Sequence, residues 1–118
     1  MTEEWLDLYD WEGTPTGERA LRSSPKQPDR FRLVIEVWMF NARGEVLMQQ
    51  RSPHKKLLPG AWSPTTGCVQ AGEDAVTGCL RELEEELGLK AAPEELELVE
   101  HRRSRELGTR CDVFFLFK

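Results

Sequence analysis

The chain reads as an α+β domain, and three observations lead there. One segment, Asp74 to Leu87, repeats apolar residues at helical spacing. Runs of β-branched and aromatic residues at strand length stand on both sides of it. Turn-forming Gly, Pro, Asn and Asp separate those runs. At 118 residues, positions 1–118 fit one domain with one core.

The elements follow in order. Residues 5 to 22 form a predicted hairpin: Trp5 to Asp10 goes out, Glu12-Gly13-Thr14-Pro15 turns, and Thr16 to Arg22 returns. With the two prolines of Ser23 to Asp29, residues 1–29 make an N-terminal hairpin and loop. Arg32 to Phe40 is apolar on both faces, which predicts a central strand. Asn41-Ala42-Arg43-Gly44 predicts a tight turn and Glu45 to Arg51 a partner strand. Ser52 to Pro64 reads as a loop and Ser63 to Val69 as a short strand. In the helix, Val76, Cys79, Leu80, Leu83 and Leu87 form the buried stripe, Glu73 and Asp74 sit in the first turn, and Gly88 ends it. Pro93-Glu94-Glu95 starts a brief helical turn. Leu96 to Arg105 and Arg110 to Phe117 are two strands joined around Leu107-Gly108.

Bulk properties narrow the function classes. A formal net charge of -5 gives no encouragement to a nucleic-acid polymer or an anionic membrane as partner. The cysteines, Cys68, Cys79 and Cys111, are an odd number without C-x-x-C spacing, which fits a reducing, cytoplasmic setting better than disulfides or a zinc site. The acidic start, Met1-Thr2-Glu3-Glu4-Trp5, has no apolar core of a signal peptide. The longest apolar stretch, Leu33 to Phe40, is interrupted by Glu36 and too short to span a bilayer.

The helix carries the chemistry. Glu82, Glu85 and Glu86 fall within an arc of roughly 100°, largely away from the Leu83 stripe. Glu82 and Glu86 are a like-charge i,i+4 pair, and all three crowd the C-terminal half, where the macrodipole disfavours anions. Most Glu-rich helix faces are simply solvated. A bound Mg²⁺ would reverse the penalty, because it takes carboxylate oxygens and keeps waters for substrate phosphates to displace. Gly67 and Gly72 permit close backbone approach, and the Gly67 carbonyl can face such a cation; ordinary turn geometry is the alternative.

The segment Gly67, Glu73, Arg81, Glu82, Leu83, Glu85, Glu86, Gly88, Leu89 resembles the Nudix hydrolase signature, G-x5-E-x7-R-E-U-x-E-E-x-G-U with U aliphatic, at every specified position from 67 to 89. Nine positions at fixed spacing make the resemblance specific. Leu47-Met48-Gln49-Gln50-Arg51 and Pro59-Gly60-Ala61-Trp62 look like the strand and loop before this box in the family. Trp5 to Asp10 and Gly13-Thr14-Pro15-Thr16-Gly17 resemble the subgroup related to isopentenyl-diphosphate isomerase.

The resemblance implies an α/β/α sandwich around a mixed sheet and Mg²⁺- or Mn²⁺-dependent hydrolysis of a nucleoside diphosphate linked to another moiety. It matches Glu82, Glu85 and Glu86 to metal-ligating, catalytic glutamates, and the Gly67 carbonyl to a further ligand. Glu73 and Arg81 match the ion pair that holds loop to helix, and Arg51 matches a phosphate contact of some relatives. Thr66 and Gly78 depart mildly from the family's Gly and Ala. The sequence also stops at Phe114-Phe115-Leu116-Phe117-Lys118, without the strand and helix that usually follow. With four tryptophans, that strand edge suggests a homodimer.

Two rival functions stand beside hydrolysis. Isomerase chemistry uses a Cys just before the loop glycine and a metal-binding His just after it; here those positions are Thr66 and Cys68, and the histidines, His54 and His101, lie elsewhere. A non-catalytic module sensing a nucleotide or binding a partner has no need of a proton acceptor. Among weaker signals, Glu36 either faces the site or pairs with an arginine. Lys55 and Lys56 either steer phosphates or form a solvated turn. Trp62 either lines a pocket or packs under the loop. Cys68 reads as a small buried hydrophobe.

Overall fold

A computed structural model describes residues 4–54 and 58–118. Among these described residues eight strands and one α-helix run in chain order: β1 (Trp5–Tyr9), β2 (Pro15–Leu21), β3 (Phe31–Phe40), β4 (Gln49–Gln50), β5 (Trp62–Ser63), β6 (Thr65–Cys68), α1 (Ala75–Leu87), β7 (Leu96–Ser104) and β8 (Thr109–Phe117). A 3-10 turn at Pro93–Glu95 leads into β7.

The main sheet is mixed and has the order β2-β1-β3-β8-β7. β3 is its axis, because its pattern buries Phe31, Leu33, Ile35 and Val37 on one face and half-buries Val34, Glu36 and Trp38 on the other. β8 lies parallel to it from Arg32 opposite Thr109 to Phe40 opposite Phe117. The other edge of β3 is shared end to end. Tyr9 and Leu8 of β1 pair with Phe31 and Arg32, and β6 then takes Val34 to Val37.

The expected partner strand Glu45 to Arg51 is not there. The turn at Asn41–Glu45 closes, and Phe40 bridges Val46, but the chain then leaves β3. Only Gln49–Gln50 is a strand, and it pairs with Trp62–Ser63 in a separate two-stranded ladder. The physical reason is competition: β6 occupies the edge positions a hairpin partner would need.

Helix α1 covers one face of the sheet. Asp74 is its N-cap, accepting from the Thr77 N–H at 2.8 Å, so Glu73 lies before the helix rather than in its first turn. Gly88 ends it with φ 64°, the left-handed conformation a glycine takes without a Cβ clash. Cys79 and Leu83 pack with Leu33, Ile35, Val37, Val69, Phe114 and Leu116 as the core. A Cβ at Gly78 would stand 3.1 Å from Val69 Cγ2, so the glycine lets the helix seat closely. Among the described residues α1 is the one α-helix, which gives two layers where the expected sandwich has three. On the open face Phe40, Phe115 and Phe117 pack ring to ring at 5.0 to 6.3 Å. No helix among the described residues is long and apolar enough to cross a membrane.

Candidate active site

The second half of α1 passes over β6, and there the site residues meet. Gly67 pairs with Ile35 in the ladder, and its missing side chain leaves room for Glu82. A Cβ on Gly67 would lie 2.4 Å from Glu82 Cδ and 2.6 Å from its Oε1. Gly67 is therefore required for close approach and not for a turn. Gly72, by contrast, has φ 86° and does serve a turn.

Arg81 organises this corner. Its Nε donates to Glu73 Oε2 at 2.8 Å and its Nη2 to Glu73 Oε1 at 3.1 Å, a bidentate pair. Nη2 also donates to the Cys68 carbonyl at 2.9 Å, which ties the helix to the end of β6. Glu73 in turn accepts the Gln70 N–H at 2.9 Å, so loop and helix are locked together. The expected Glu73–Arg81 ion pair is thus present. Both side chains are largely buried, at 16% and 17% exposure. Burial pushes the Glu73 carboxyl up, but Arg81 and the Gln70 amide outweigh it and hold it below the usual range.

The same guanidinium reaches further than the sequence suggested. Nη1 donates to Glu82 Oε1 at 2.8 Å and to Glu85 Oε2 at 3.3 Å. The carboxylate cluster accordingly has a basic neighbour within it. Glu85 remains 59% exposed and turns toward Arg81, on the solvent side. Glu86 instead leans on Glu82. Burial, then the Glu82 carboxyl beside it, push the Glu86 carboxyl up to about 7, and the Gln49 amide partly offsets this. Gln49 also donates to Thr65 Oγ1 at 2.8 Å, so β4 braces the site.

The structure therefore brings Glu82, Glu86 and Gly67 together and leaves Glu85 outside. Among the described residues no three His, Cys, Asp or Glu side chains converge as a ready metal cage. The donor chemistry nonetheless suits a hard divalent cation. Two crowded carboxylates, one of them reluctant to ionise beside the other, sit against a backbone position with no side chain.

These groups form one end of an open cleft of about 680 Å³. Arg22 and Arg51 also line it, so it presents cations as well as carboxylates. The Arg51 backbone is fixed by hydrogen bonds with Ala61 (2.7 Å) and Gly60 (3.1 Å). Thr66 and Cys68 line the same cleft; burial pushes the Cys68 thiol up, which fits an unreactive side chain. Trp62 is 63% exposed and does not pack under the loop. Lys55 and Lys56 lie outside the described residues. Arg22 and Gln49 were not singled out as site residues from sequence: Arg22 belongs to no local motif, and Gln49 stood there only as part of the strand before the box. Glu36 meets both its readings: it lines the cleft and pairs with Arg102 at 3.0 Å.

Comparison with known proteins agrees with this architecture. Residues 30–117 match the family model of the NUDIX domain. Isopentenyl-diphosphate Delta-isomerase of Escherichia coli (strain K12) is 32% identical over 96 residues, covering 80% of this chain and 53% of that enzyme. The chain spans about half the length of the curated relatives it matches. The solved structure of DR0079 from Deinococcus radiodurans superposes with a TM-score of 0.80 at 25% identity, over 98% of this chain and 72% of that one. A MutT protein from Methanosarcina mazei Go1 gives 0.63 at 25% identity, over 80% and 68%. The fold superposes on these structures, the helix carries Glu82, Glu85 and Glu86, and the chain belongs to the Nudix family.

Proposed function

We propose that the protein is a metal-dependent hydrolase that cleaves a diphosphate linkage in a nucleoside diphosphate joined to another moiety. One observation carries the reading. Glu82 is seated against the side-chain-free Gly67 and crowded by Glu86, at the end of a cleft that also holds Arg22 and Arg51. Carboxylates packed so closely are costly without a counter-ion, and arginines beside them suit an anionic substrate.

Glu82, Glu86, the Gly67 carbonyl and, after a rotamer change, Glu85 would hold Mg²⁺ or Mn²⁺. Such an ion neutralises diphosphate oxygens and lowers the pKa of a bound water. The protein's own groups do the rest. Arg81 and Glu73 keep Glu82 in register with β6. Glu82 accepts the proton of the attacking water, with the Gly67 position leaving its carboxyl free to approach. Arg51, aided by Arg22, binds the substrate phosphates and orients them.

Isomerase chemistry is the second reading, favoured by the likeness to isopentenyl-diphosphate Delta-isomerase. Against it, Thr66 and Cys68 supply neither a thiol before Gly67 nor an imidazole after it, and burial opposes a Cys68 thiolate. A non-catalytic, nucleotide-sensing module is the third. The reading extends to a cytoplasmic protein, in line with its unpaired cysteines. It extends also to a homodimer joined through the open aromatic face of Phe40, Phe115 and Phe117. Light scattering at micromolar concentration giving a monomer mass would remove the dimer.

A turnover screen with Mg²⁺ tests the main reading. Its substrates are nucleoside triphosphates, nucleotide sugars, dinucleoside polyphosphates, ADP-ribose, dinucleotide cofactors and prenyl diphosphates. Phosphate or nucleoside monophosphate release that requires Mg²⁺ is the expected result. Isomerised isopentenyl diphosphate would favour the second reading, and tight nucleotide binding without turnover the third.

A further inference from the structure

Glu36 lies at the far end of the same cleft, away from α1. It stands opposite Thr66 in the β3–β6 ladder, one residue from Gly67. Yet its side chain projects from the sheet face opposite the helix, as the alternation of β3 requires. The cleft thus runs from Glu82 and Glu86, past the bare backbone of Gly67, to Glu36, Thr109 and Cys111. Its volume of about 680 Å³ suits a ligand larger than a diphosphate alone.

Three neighbours fix the Glu36 carboxylate. Trp38 Nε1 donates to Oε1 at 3.1 Å, Arg102 Nη2 meets Oε2 at 3.0 Å, and the Cys111 thiol approaches Oε2 at 3.9 Å. Arg102 is itself held by Glu100 at 3.0 Å. The side chain is only 13% exposed, and what remains open faces the cleft. Each carboxylate oxygen accepts two hydrogen bonds, so Oε2 is taken by Arg102 and Cys111 while Oε1, bonded to Trp38 alone, keeps capacity for one more donor.

We propose that Glu36 selects the group attached to the diphosphate, accepting through Oε1 a hydrogen bond from a neutral heterocycle that bears an N–H donor. This rests on the hydrolase reading and names the head group that site takes. A second phosphate or carboxylate there would be repelled by Glu36. An alkyl chain would strip water from Glu36, Thr66 and Thr109 and return no hydrogen bond. An amino- or amide-bearing base restores those bonds to a charged acceptor, the stronger kind. The bland alternative is that Glu36 merely neutralises Arg102 within the sheet, which makes no difference among substrates.

The experiment compares kcat/KM with Mg²⁺ for the triphosphates of adenosine, guanosine, cytidine and purine riboside, whose base has no N–H donor. Wild type is expected to favour at least one amino-bearing nucleotide over the purine riboside by about tenfold or more. Glu36→Gln turns one acceptor into a donor and is expected to narrow that ratio to about threefold or less, with the loss falling on KM. A wild type blind to the amino group, or a ratio unmoved in Glu36→Gln, overturns the inference while leaving hydrolysis standing. Absence of turnover with these triphosphates and with every nucleotide derivative of the wider screen overturns the hydrolase reading instead. Calorimetric binding of the same four nucleotides with Mg²⁺ then decides the role of Glu36 by the same ratio. If Glu36→Gln does not fold, Glu36→Asp withdraws the carboxylate from the cleft while keeping its charge, and the ratio must still fall.

Discussion

The Glu82 side chain fills the volume that a Cβ on Gly67 would occupy, with Glu82 Cδ 2.4 Å from that position. Two residues fifteen apart in sequence are therefore one steric unit. The clash in Gly67→Ala would fall on the end of a flexible side chain, which can swing away at modest cost. We expect a stability loss of about 1–3 kcal/mol, read by urea denaturation. Mg²⁺ affinity, read by calorimetry, is expected to drop by about tenfold or more. Unchanged affinity in a folded Gly67→Ala protein would show that Glu82 holds no ion.

Arg81 is the second point of leverage. It bonds Glu73, Glu82, Glu85 and the Cys68 carbonyl at once. Arg81→Lys keeps the charge but loses the planar fork, so it cannot serve Glu73 bidentately and Cys68 as well. A pair this buried lies between the exposed and fully buried limits, and a cost of about 2 kcal/mol is expected. Arg81→Ala leaves Glu73 and Glu82 without a counter-charge and costs more. Chemical denaturation of both variants checks the order. A lysine variant as stable as wild type would reduce Arg81 to a surface charge.

Asp74 offers a pH test independent of the site. The Thr77 N–H holds its carboxyl below the usual range. A carboxyl with a lowered folded pKa stabilises fully above its unfolded value of 3.8, and the contribution fades as pH falls through the folded value. Asp74→Ala should therefore cost about 1 kcal/mol at pH 7 and clearly less under acid conditions below both values. Equal costs at both pH values would mean that the charged cap contributes nothing beyond helix geometry.

The parts of the molecule legible in sequence were those set by local physics. Helix α1 declared its stripe through Leu83 and its stop at Gly88 by local spacing, whereas Asp74, read as part of the first turn, is its cap. The hairpin β1–β2 and the pair β7–β8 followed from turn residues and alternation. What failed was pairing at a distance. Nothing in Glu45 to Arg51 reveals that Thr65–Cys68 takes the edge of β3 instead. The reach of Arg81 to Glu82 was equally hidden, because adjacent helix residues do not normally face each other. They meet here because both side chains turn onto β6. Gln49 beside Glu86 and Arg102 against Glu36 depend on register alone.

Glu85 and Glu86 separate function from stability. In the metal-free protein Glu86 is exposed but crowded by Glu82, and like charges repel there. Glu86→Gln removes that repulsion and keeps the shape, so the metal-free protein should melt higher than wild type at pH 8. Turnover with Mg²⁺ should fall on the order of a hundredfold or more. Glu85 is exposed, and its pair with Arg81 is a surface i,i+4 contact worth about 0.3–0.5 kcal/mol. Glu85→Gln should thus leave the melting temperature nearly unmoved while still lowering turnover steeply, if Glu85 swings in to share an ion. Calorimetric scans and Mg²⁺ titrations of both variants check this. Activity that survives Glu86→Gln and Glu85→Gln alike would take the helix out of the chemistry and leave it a role in folding only.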